Sequence, residues 1–439
     1  MTSVPYIYNP KMECMDPEQR KILQGERLRQ TVKHEYENVP LYRERMNQKG
    51  IIPEDIHTVD DLRYLPFTEK TDLRDTFPFG LLAVPQSEIV RIQGSSGTTG
   101  KPIVSGYTSG DVEIWTEMVA RAMAAVGAGK DDIVQVCYGY GLFTGGLGAH
   151  QGATAVGAMV VPMSSGNTQR QIMMMRELGA TVLCCTPSYA TYLGESIREM
   201  GIDPKELKLR AGLFGAEPWT EEMRKHIEEL LGIDACDIYG LTEIAGPGVA
   251  FECLEKHGAH INEDHVIAEI IDPVTEQPLP YGQAGELVFT TITKQGMPML
   301  RYRTHDICTL YNDPCPCGRT TARMGRISGR TDDMIIIRGV NVFPSQIETV
   351  LVGTDGVAPH YQLIADRVNN ADTLEVVVEM TEEAFTCADS IARMQQLQKY
   401  ITEQIKSVVG VMTKVTLVAP KTIPRSEGKA KRVIDHRKL

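Results

Sequence analysis

The sequence predicts an α/β protein. A large N-terminal domain of mainly parallel sheets covered by helices carries a small antiparallel β unit, and a separate α+β C-terminal domain follows. Three observations predict this. Between residues 111 and 231, short apolar runs alternate with amphipathic stretches of helical length, as in a parallel sheet with crossover helices. From about Ile267 the rhythm changes to strands separated by turns, such as Asp272-Pro273 and Pro280-Tyr281-Gly282, which suits antiparallel pairing. After Arg330 a third pattern begins, with one helical stripe at Ile391, Met394, Leu397, Ile401, Ile405 and Val408. The expected domains are residues 1–330 and 331–439.

Residues 17–49 read as helical, entered through Pro17, with Ile22, Leu23, Leu28, Val32 and Tyr36 near helical spacing. Ile89-Val90-Arg91-Ile92 and Ile103-Val104 read as strands around a glycine-rich stretch. Helices are expected over Asp111–Val126, Gly145–Gly157, Thr168–Leu178, Tyr189–Met200 and Glu221–Leu231. The strands between them are Asp132–Cys137, Ala158–Pro162, Thr181–Cys185 and Leu209–Phe214. Ligands of such sheets sit beyond the carboxyl ends of the strands. Ile267–Ile271, Gly285–Thr291 and Ile307–Tyr311 are the expected strands of the antiparallel unit. The last domain offers a helix over Val342–Val350 and strands over Tyr361–Ala365, Leu374–Met380 and Lys414–Val418.

Composition excludes several classes. A net charge of −12 argues against general affinity for nucleic acid or an anionic membrane surface. No apolar run reaches the ~18 residues of a membrane span. Met1–Pro10 lacks a basic region followed by an apolar core, so it does not read as a secretory signal. Ten cysteines without such a signal imply reduced thiols and a cytoplasmic chain. The sequence leaves a homodimer open.

The chemistry begins at Gly94-Ser95-Ser96-Gly97-Thr98-Thr99-Gly100-Lys101-Pro102. Glycines let a backbone approach an anion, hydroxyls and free N–H groups ring its oxygens, and Lys101 adds positive charge. The flanking strands argue against a flexible linker. The spacing is not that of a nucleotide-binding P-loop, because Ser95 and Pro102 stand where that motif needs Gly and Ser or Thr. Phe214-Gly215-Ala216-Glu217-Pro218 follows a strand and lies at the sheet's carboxyl edge. Asp237-Ile238-Tyr239-Gly240-Leu241-Thr242-Glu243 offers a ring able to stack on a base, a hydroxyl, and a carboxylate able to hold Mg²⁺. Tyr302-Arg303-Thr304-His305-Asp306 offers a carboxylate for vicinal sugar hydroxyls, and Gly329-Arg330-Thr331-Asp332-Asp333 stands where the composition shifts.

Together these stretches resemble the adenylate-forming superfamily of acyl-CoA ligases, and within it the phenylacetate–CoA ligase branch. The likeness spans nearly the whole chain. Tyr138-Gly139-Tyr140-Gly141-Leu142-Phe143-Thr144-Gly145-Gly146 and Arg338-Gly339-Val340-Asn341-Val342-Phe343-Pro344 point to the branch. The resemblance implies two steps. A carboxylate attacks the α-phosphate of ATP to give acyl-adenylate and pyrophosphate, then the thiol of coenzyme A displaces AMP. It implies that Ser95, Ser96, Thr98, Thr99 and Lys101 handle phosphates. Gly215, Ala216, Glu217 and Pro218, with Asp237, Ile238, Tyr239 and Gly240, would hold adenine. Thr242 and Glu243 would serve phosphate and Mg²⁺, and Asp306 and Arg330 the ribose. Arg338 and Gly339 join the nucleotide-binding candidates. Asp332 would be the hinge of a mobile C-terminal domain. Lys429 matches the superfamily's catalytic lysine, although Glu427 replaces the usual Ser before Gly428-Lys429, and Lys431 competes with it. Tyr138 and Phe143 would face an aromatic acid, most simply phenylacetate, although two rings around glycines could equally be core. A related reading is an adenylyltransferase akin to the deazaflavin-adenylating enzymes, which does not form the thioester.

Cys253, His260, Cys315 and Cys317 offer three thiols and an imidazole, a tetrahedral Zn²⁺ set. His257 and His265 compete with His260. Any zinc there is expected to be structural.

Overall fold

In this computed structural model, residues 7–95, 103–331, 335–338, 340–368, 371–386, 391–426 and 430–438 are described. The expected first helix is two. Asp16 caps Pro17–Asn38 by accepting from the N–H groups of Glu18 and Gln19. That helix stops before Val39, because Pro40 has no N–H to donate and its ring disfavours a helical residue before it. Pro40 then serves as the first residue of a second helix, Pro40–Gln48.

The large domain is built on one twelve-stranded sheet. At one edge Met159–Pro162, Ile133–Val136, Val182–Cys185, Ala211–Gly215 and Asp234–Leu241 lie side by side, all parallel. Thr168–Leu178 and Glu221–Leu231 are helices as read from the sequence, and each stops at a glycine in the left-handed conformation, Gly179 or Gly232. Gly246–Phe251 then turns back antiparallel on Asp234–Leu241. The order continues through Ala259–Ile261, Arg323–Met324, Tyr302–Tyr311, Ala284–Thr291 and Val266–Ile271. The antiparallel unit is therefore the other end of the same sheet.

Tyr302–Tyr311 begins five residues before the expected strand at Ile307. Its side chains alternate between buried and half-buried, with Tyr302, Thr304 and Asp306 inward. The polar residues of this stretch masked a strand whose buried face is itself partly polar.

The C-terminal domain has a four-stranded sheet ordered Lys414–Val418, Ala371–Met380, Val357–Val368 and Val433–Asp435. The helices Pro344–Val352 and Ile391–Val409 contribute Ile347, Leu351, Ile401, Ile405 and Val409 to its core. Val433–Asp435, a strand that the sequence pattern does not mark, pairs parallel with Leu363–Ala365. Among the described residues, no helix is long and apolar enough to cross a membrane.

Candidate functional site

The strands flanking the glycine-rich stretch, Arg91–Gly94 and Val104–Tyr107, pair antiparallel. The N–H of Ser95 donates to the Ile103 carbonyl at 3.0 Å and closes the neck of the loop. The N–H of Gly94 donates to the Leu142 carbonyl at 2.7 Å, which joins this hairpin to the turn bearing Tyr138 and Phe143. Ser96, Thr98, Thr99 and Lys101 lie outside the described residues, as do Asp332, Gly339 and Lys429.

Thr242 and Glu243 follow the strand Asp234–Leu241 at its carboxyl end and are both buried. Three residues hold them, of which Tyr107 and Lys294 stand in no motif. The Tyr107 hydroxyl donates to the Thr242 carbonyl at 3.0 Å. The Lys294 ammonium donates to the Glu243 carbonyl at 2.9 Å and to Ser105 Oγ at 2.7 Å. The Tyr302 hydroxyl donates to Glu243 Oε1 at 3.0 Å. Lys294 is buried 4.8 Å above the Tyr107 ring, and burial brings its ammonium down to about 8. The one visible sign of this lysine in the sequence is its place at the end of the run Thr290-Thr291-Ile292-Thr293.

Asp306 gathers two other candidates. Tyr239 Oη donates to its Oδ2 at 2.6 Å, and Arg330 Nη1 donates to its Oδ1 at 2.8 Å. The second contact is set by backbone register, since Gly329–Arg330 pairs with Tyr302–Tyr311 and puts Arg330 opposite Asp306. Burial, then the charge of Asp306, pushes the Tyr239 hydroxyl well above its usual range.

Gly215 and Ala216 mark the neighbouring strand end. A Cβ on Gly215 would lie 2.0 Å from the Ile238 carbonyl oxygen, so only glycine permits this approach. Ala216 has φ +72°, a conformation that costs a non-glycine residue energy and concentrates at functional sites. Ile238 is buried, and Pro218 is exposed. Burial, then repulsion from Glu252, lifts the Asp237 carboxyl to about 6. Both Glu217 oxygens engage backbone donors: Oε1 accepts from Ser188 at 2.7 Å and Oε2 from Ala430 at 3.1 Å. Ser188 is in the first turn of the helix Pro187–Glu199, where a carboxylate also meets the positive end of the helix dipole. Arg338 is exposed in the turn between Ile335–Ile337 and Val340–Val342, and its Nε donates to the Asp372 carbonyl of the C-terminal domain. The structure does not bring Arg338 into the Asp306 cluster.

Tyr138 is buried and Phe143 half-buried, on either side of Gly145. A Cβ there would lie 2.5 Å from Phe143 Cε1 and 3.2 Å from Tyr138 Cδ1. The two rings therefore share one space, against the same apolar cluster as Ala216 and Ala245.

The four metal-ligand candidates also converge. One ligand atom from each of Cys253, His260, Cys315 and Cys317 lies within 4.8 Å of all the others, and all four residues are buried. The Cys253 and Cys315 sulfurs are 3.8 Å apart. A tetrahedron with Zn–S bonds of about 2.3 Å has edges of about 3.8 Å. Cys317 Sγ is 3.3 Å from His260 Nε2, and His260 Nδ1 is 3.0 Å from Thr321 Oγ1, which orients the ring. The competing histidines are elsewhere: His257 is exposed, and His265 Nδ1 contacts Thr293 at 3.0 Å.

Comparison with known proteins agrees with this geometry. The family model for the AMP-binding enzyme matches residues 22–295, and that for the AMP-binding enzyme C-terminal domain matches residues 339–437. The chain is 49% identical to a phenylacetate-coenzyme A ligase of Thermus thermophilus, over 98% of this chain and 100% of that one. It is 49% identical to the Escherichia coli protein of the same name, over 99% of each. Among solved structures, it superposes on 2-hydroxyisobutyryl-CoA ligase in the postadenylation state, in complex with 2-HIB-AMP, with a TM-score of 0.92 and 30% identity. That match covers 98% of this chain and 92% of the other. Against the same ligase in the thioesterification state, the TM-score is 0.71 at 31% identity, over 97% and 91%.

Proposed function

The chain belongs to the AMP-binding enzyme family, and from that premise we propose that it is an ATP-dependent phenylacetate–CoA ligase. A carboxylate oxygen attacks the α-phosphate of ATP and pyrophosphate leaves. The thiol of coenzyme A then attacks the acyl carbon and AMP leaves with the P–O bond intact. The observation that carries this reading is the near-full-length likeness to enzymes of that name, in a chain that also brings Glu243, Tyr239, Asp306 and Arg330 to one sheet edge.

The residues have distinct tasks in this scheme. Asp306, held by Arg330 and Tyr239, accepts from the ribose hydroxyls. The peptide edge at Gly215, Ala216 and Ile238, open because glycine permits it, holds adenine together with the face of Tyr239. Thr242 donates to the α-phosphate. Ser95, Ser96, Thr98, Thr99 and Lys101 enclose the outgoing pyrophosphate, and Lys429 offsets charge that develops in the first step. Tyr138 and Phe143 bury the ring of the acid. Asp332 is the hinge between residues 1–330 and 331–439, about which the C-terminal domain turns between the two steps.

Glu243 fits a Mg²⁺ ligand. It is a buried carboxylate with Oε1 fixed by Tyr302, and Oε2 accepts no hydrogen bond among the described residues. With phosphate oxygens it would hold the ion, which would supply positive charge against the triphosphate. The Cys253, His260, Cys315 and Cys317 cluster fits Zn²⁺. Its four ligands face one another and leave no open position, so the ion would hold the fold and take no part in the reaction.

The test is a panel of carboxylic acids with ATP and coenzyme A, in which AMP and thioester are followed together. Phenylacetate should give both in equal amounts. Burying its ring is worth ~2–3 kcal/mol, with about 1 kcal/mol more from contact with Phe143, so its kcat/KM should exceed that of acetate on the order of a hundredfold or more. Adenylate without thioester would identify an adenylyltransferase. Equal use of acetate would remove Tyr138 and Phe143 from the acyl site.

A further inference from the structure

Glu195 and His360 have no place in the scheme above, yet they make one of the best-formed contacts between the two domains. Glu195 lies on the helix Pro187–Glu199 of the large domain. His360 lies on the strand Val357–Val368 of the C-terminal domain. His360 Nε2 stands 2.8 Å from Glu195 Oε1 and 3.0 Å from Oε2, so one N–H is shared by both oxygens. The pair is largely withdrawn from solvent, with side-chain exposures of 13% for His360 and 24% for Glu195. At such exposure a hydrogen bond to a carboxylate competes less with water than one on the open surface.

The backbone around His360 is built to present it. Val357–Val368 pairs antiparallel with Ala371–Met380, but the register shifts between Val357 and Tyr361. Ala358, Pro359 and His360 form that irregularity. Pro359 cannot donate to a ladder and is tolerated where pairing breaks. A bulge turns the side chain that follows it out of the regular alternation. Tyr361, the next residue, returns inward and donates to Glu348 at 2.7 Å. The His360 ring hydrogen-bonds to Glu195, across the domain boundary.

The same helix takes further contacts from the C-terminal domain. Lys421 Nζ lies 2.9 Å from Glu199 Oε1. Arg425, held by Glu379 at 2.8 Å, brings its Nε to 3.9 Å from Glu195 Oε2. At the helix N-terminus, Glu217 joins the N–H of Ser188 to that of Ala430. This is the arrangement whose TM-score is 0.92 against the postadenylation structure and 0.71 against the thioesterification structure, at nearly equal identity.

We propose that Glu195 and His360 are positioning residues of the adenylation half-reaction, fastening the C-terminal domain in the arrangement that the first step uses. The inference rests on the ligase reading, in which the domains rearrange between steps. Neither residue touches a reacting atom. Their contact favours one arrangement over another, so its loss lowers the fraction of enzyme poised for the first step and leaves the second step untouched.

The test uses the full-length enzyme and measures each half-reaction alone. Pyrophosphate release from ATP and phenylacetate, without coenzyme A, reports the first. Thioester formation from supplied phenylacetyl-adenylate and coenzyme A reports the second. Glu195→Gln and His360→Ala should each slow pyrophosphate release by roughly five- to tenfold, the range of a partly buried hydrogen bond to a carboxylate. Each should leave thioester formation within about twofold, with the melting temperature unchanged. The double variant should be no slower than the slower single variant, because both remove one contact. Equal slowing of both half-reactions, additive losses in the double variant, or an unchanged first step would each overturn the proposal. Wild-type enzyme that makes adenylate but no thioester would instead overturn the ligase reading.

Discussion

The nucleotide edge of the large domain and the contact between the two domains are built on different principles. At the nucleotide edge, candidate residues lock one another: Tyr302 holds Glu243, Tyr107 and Lys294 hold the two carbonyls at Thr242 and Glu243, and Arg330 and Tyr239 hold Asp306. Most of these groups are buried, and their hydrogen bonds fix positions closely. Between the domains the side chains meet as separate pairs, such as His360 with Glu195 and Lys421 with Glu199, and the second pair is more than half exposed. Separate, partly hydrated pairs can part and re-form without opening a core. A ligase that holds one nucleotide through two steps and rearranges its domains between them needs the first region rigid and the second reversible. Damage to the first should harm both half-reactions, and damage to the second only one.

Glu243→Gln should produce the largest effect. It keeps the shape and the contact with Tyr302 but removes the charge that would meet Mg²⁺, so adenylation should fall by about a thousandfold. Raising Mg²⁺ should recover part of the loss if affinity for the ion is the cause. A variant with wild-type pyrophosphate release would remove Glu243 from the nucleotide site and, with it, the contrast between the regions.

Next is Lys429→Ala, which tests the reversible side. In the proposed scheme the lysine comes from the C-terminal domain and offsets charge only in the first step. Adenylation should fall by about a hundredfold, while thioester formation from supplied adenylate stays largely intact. Equal loss of both half-reactions would mean that Lys429 belongs to the rigid set. Lys431→Ala alongside it decides between the two lysines.

How much of this was open to a reader of the sequence depends on the range of the interaction. Helices such as Thr168–Leu178 and Glu221–Leu231 were legible to the residue, because their signals are local: apolar periodicity, an N-cap and a terminal glycine. Val433–Asp435 was not, because a three-residue strand is made by its pairing with Leu363–Ala365, some seventy residues away. The site divides in the same way. Glu243, Asp306 and Arg330 stand in recognisable motifs. Tyr107, Lys294, Glu195 and His360 stand in no motif, and the fold alone makes them neighbours of anything functional. The four zinc candidates lie between. Their residue types were visible, but the choice of His260 over His257 and His265 needed the register of Ala259–Ile261 against Arg323–Met324.

Cys315→Ser asks whether rigidity can be lost without touching the nucleotide. If zinc is the keystone of its cluster, purified protein should carry about one zinc per chain and the variant much less. Stability should drop on the order of 3 kcal/mol, or roughly 4 °C in Tm for a domain of this size. Well below that Tm, the KM for ATP should change little, because the cluster has no open position for a ligand. Zinc-free wild-type protein with the same Tm would remove the metal.

The smallest effect concerns acid. His265 is buried beside Asp264, with its Nε2 3.3 Å from Asp264 Oδ2. Burial brings the imidazole down to about 4, against about 6.5 in an unfolded chain. Between those values the unfolded chain binds a proton that the native protein does not. Stability from this group is therefore full above pH 6.5 and is lost as the pH falls toward 4. The loss should reach on the order of 1–2 kcal/mol at pH 5. Asp264 acts in a lower window. Burial raises its carboxyl, but hydrogen bonds from Arg121 at 2.7 and 2.9 Å more than offset this and bring it to about 2, so its share persists until the pH falls below about 4. Denaturant titrations at pH 7 and pH 5 measure the difference. His265→Asn, which keeps a polar group near Thr293 but does not titrate, should flatten the slope between those values and leave any further slope below pH 4. If the variant keeps the wild-type slope between pH 7 and 5, the acid sensitivity lies elsewhere.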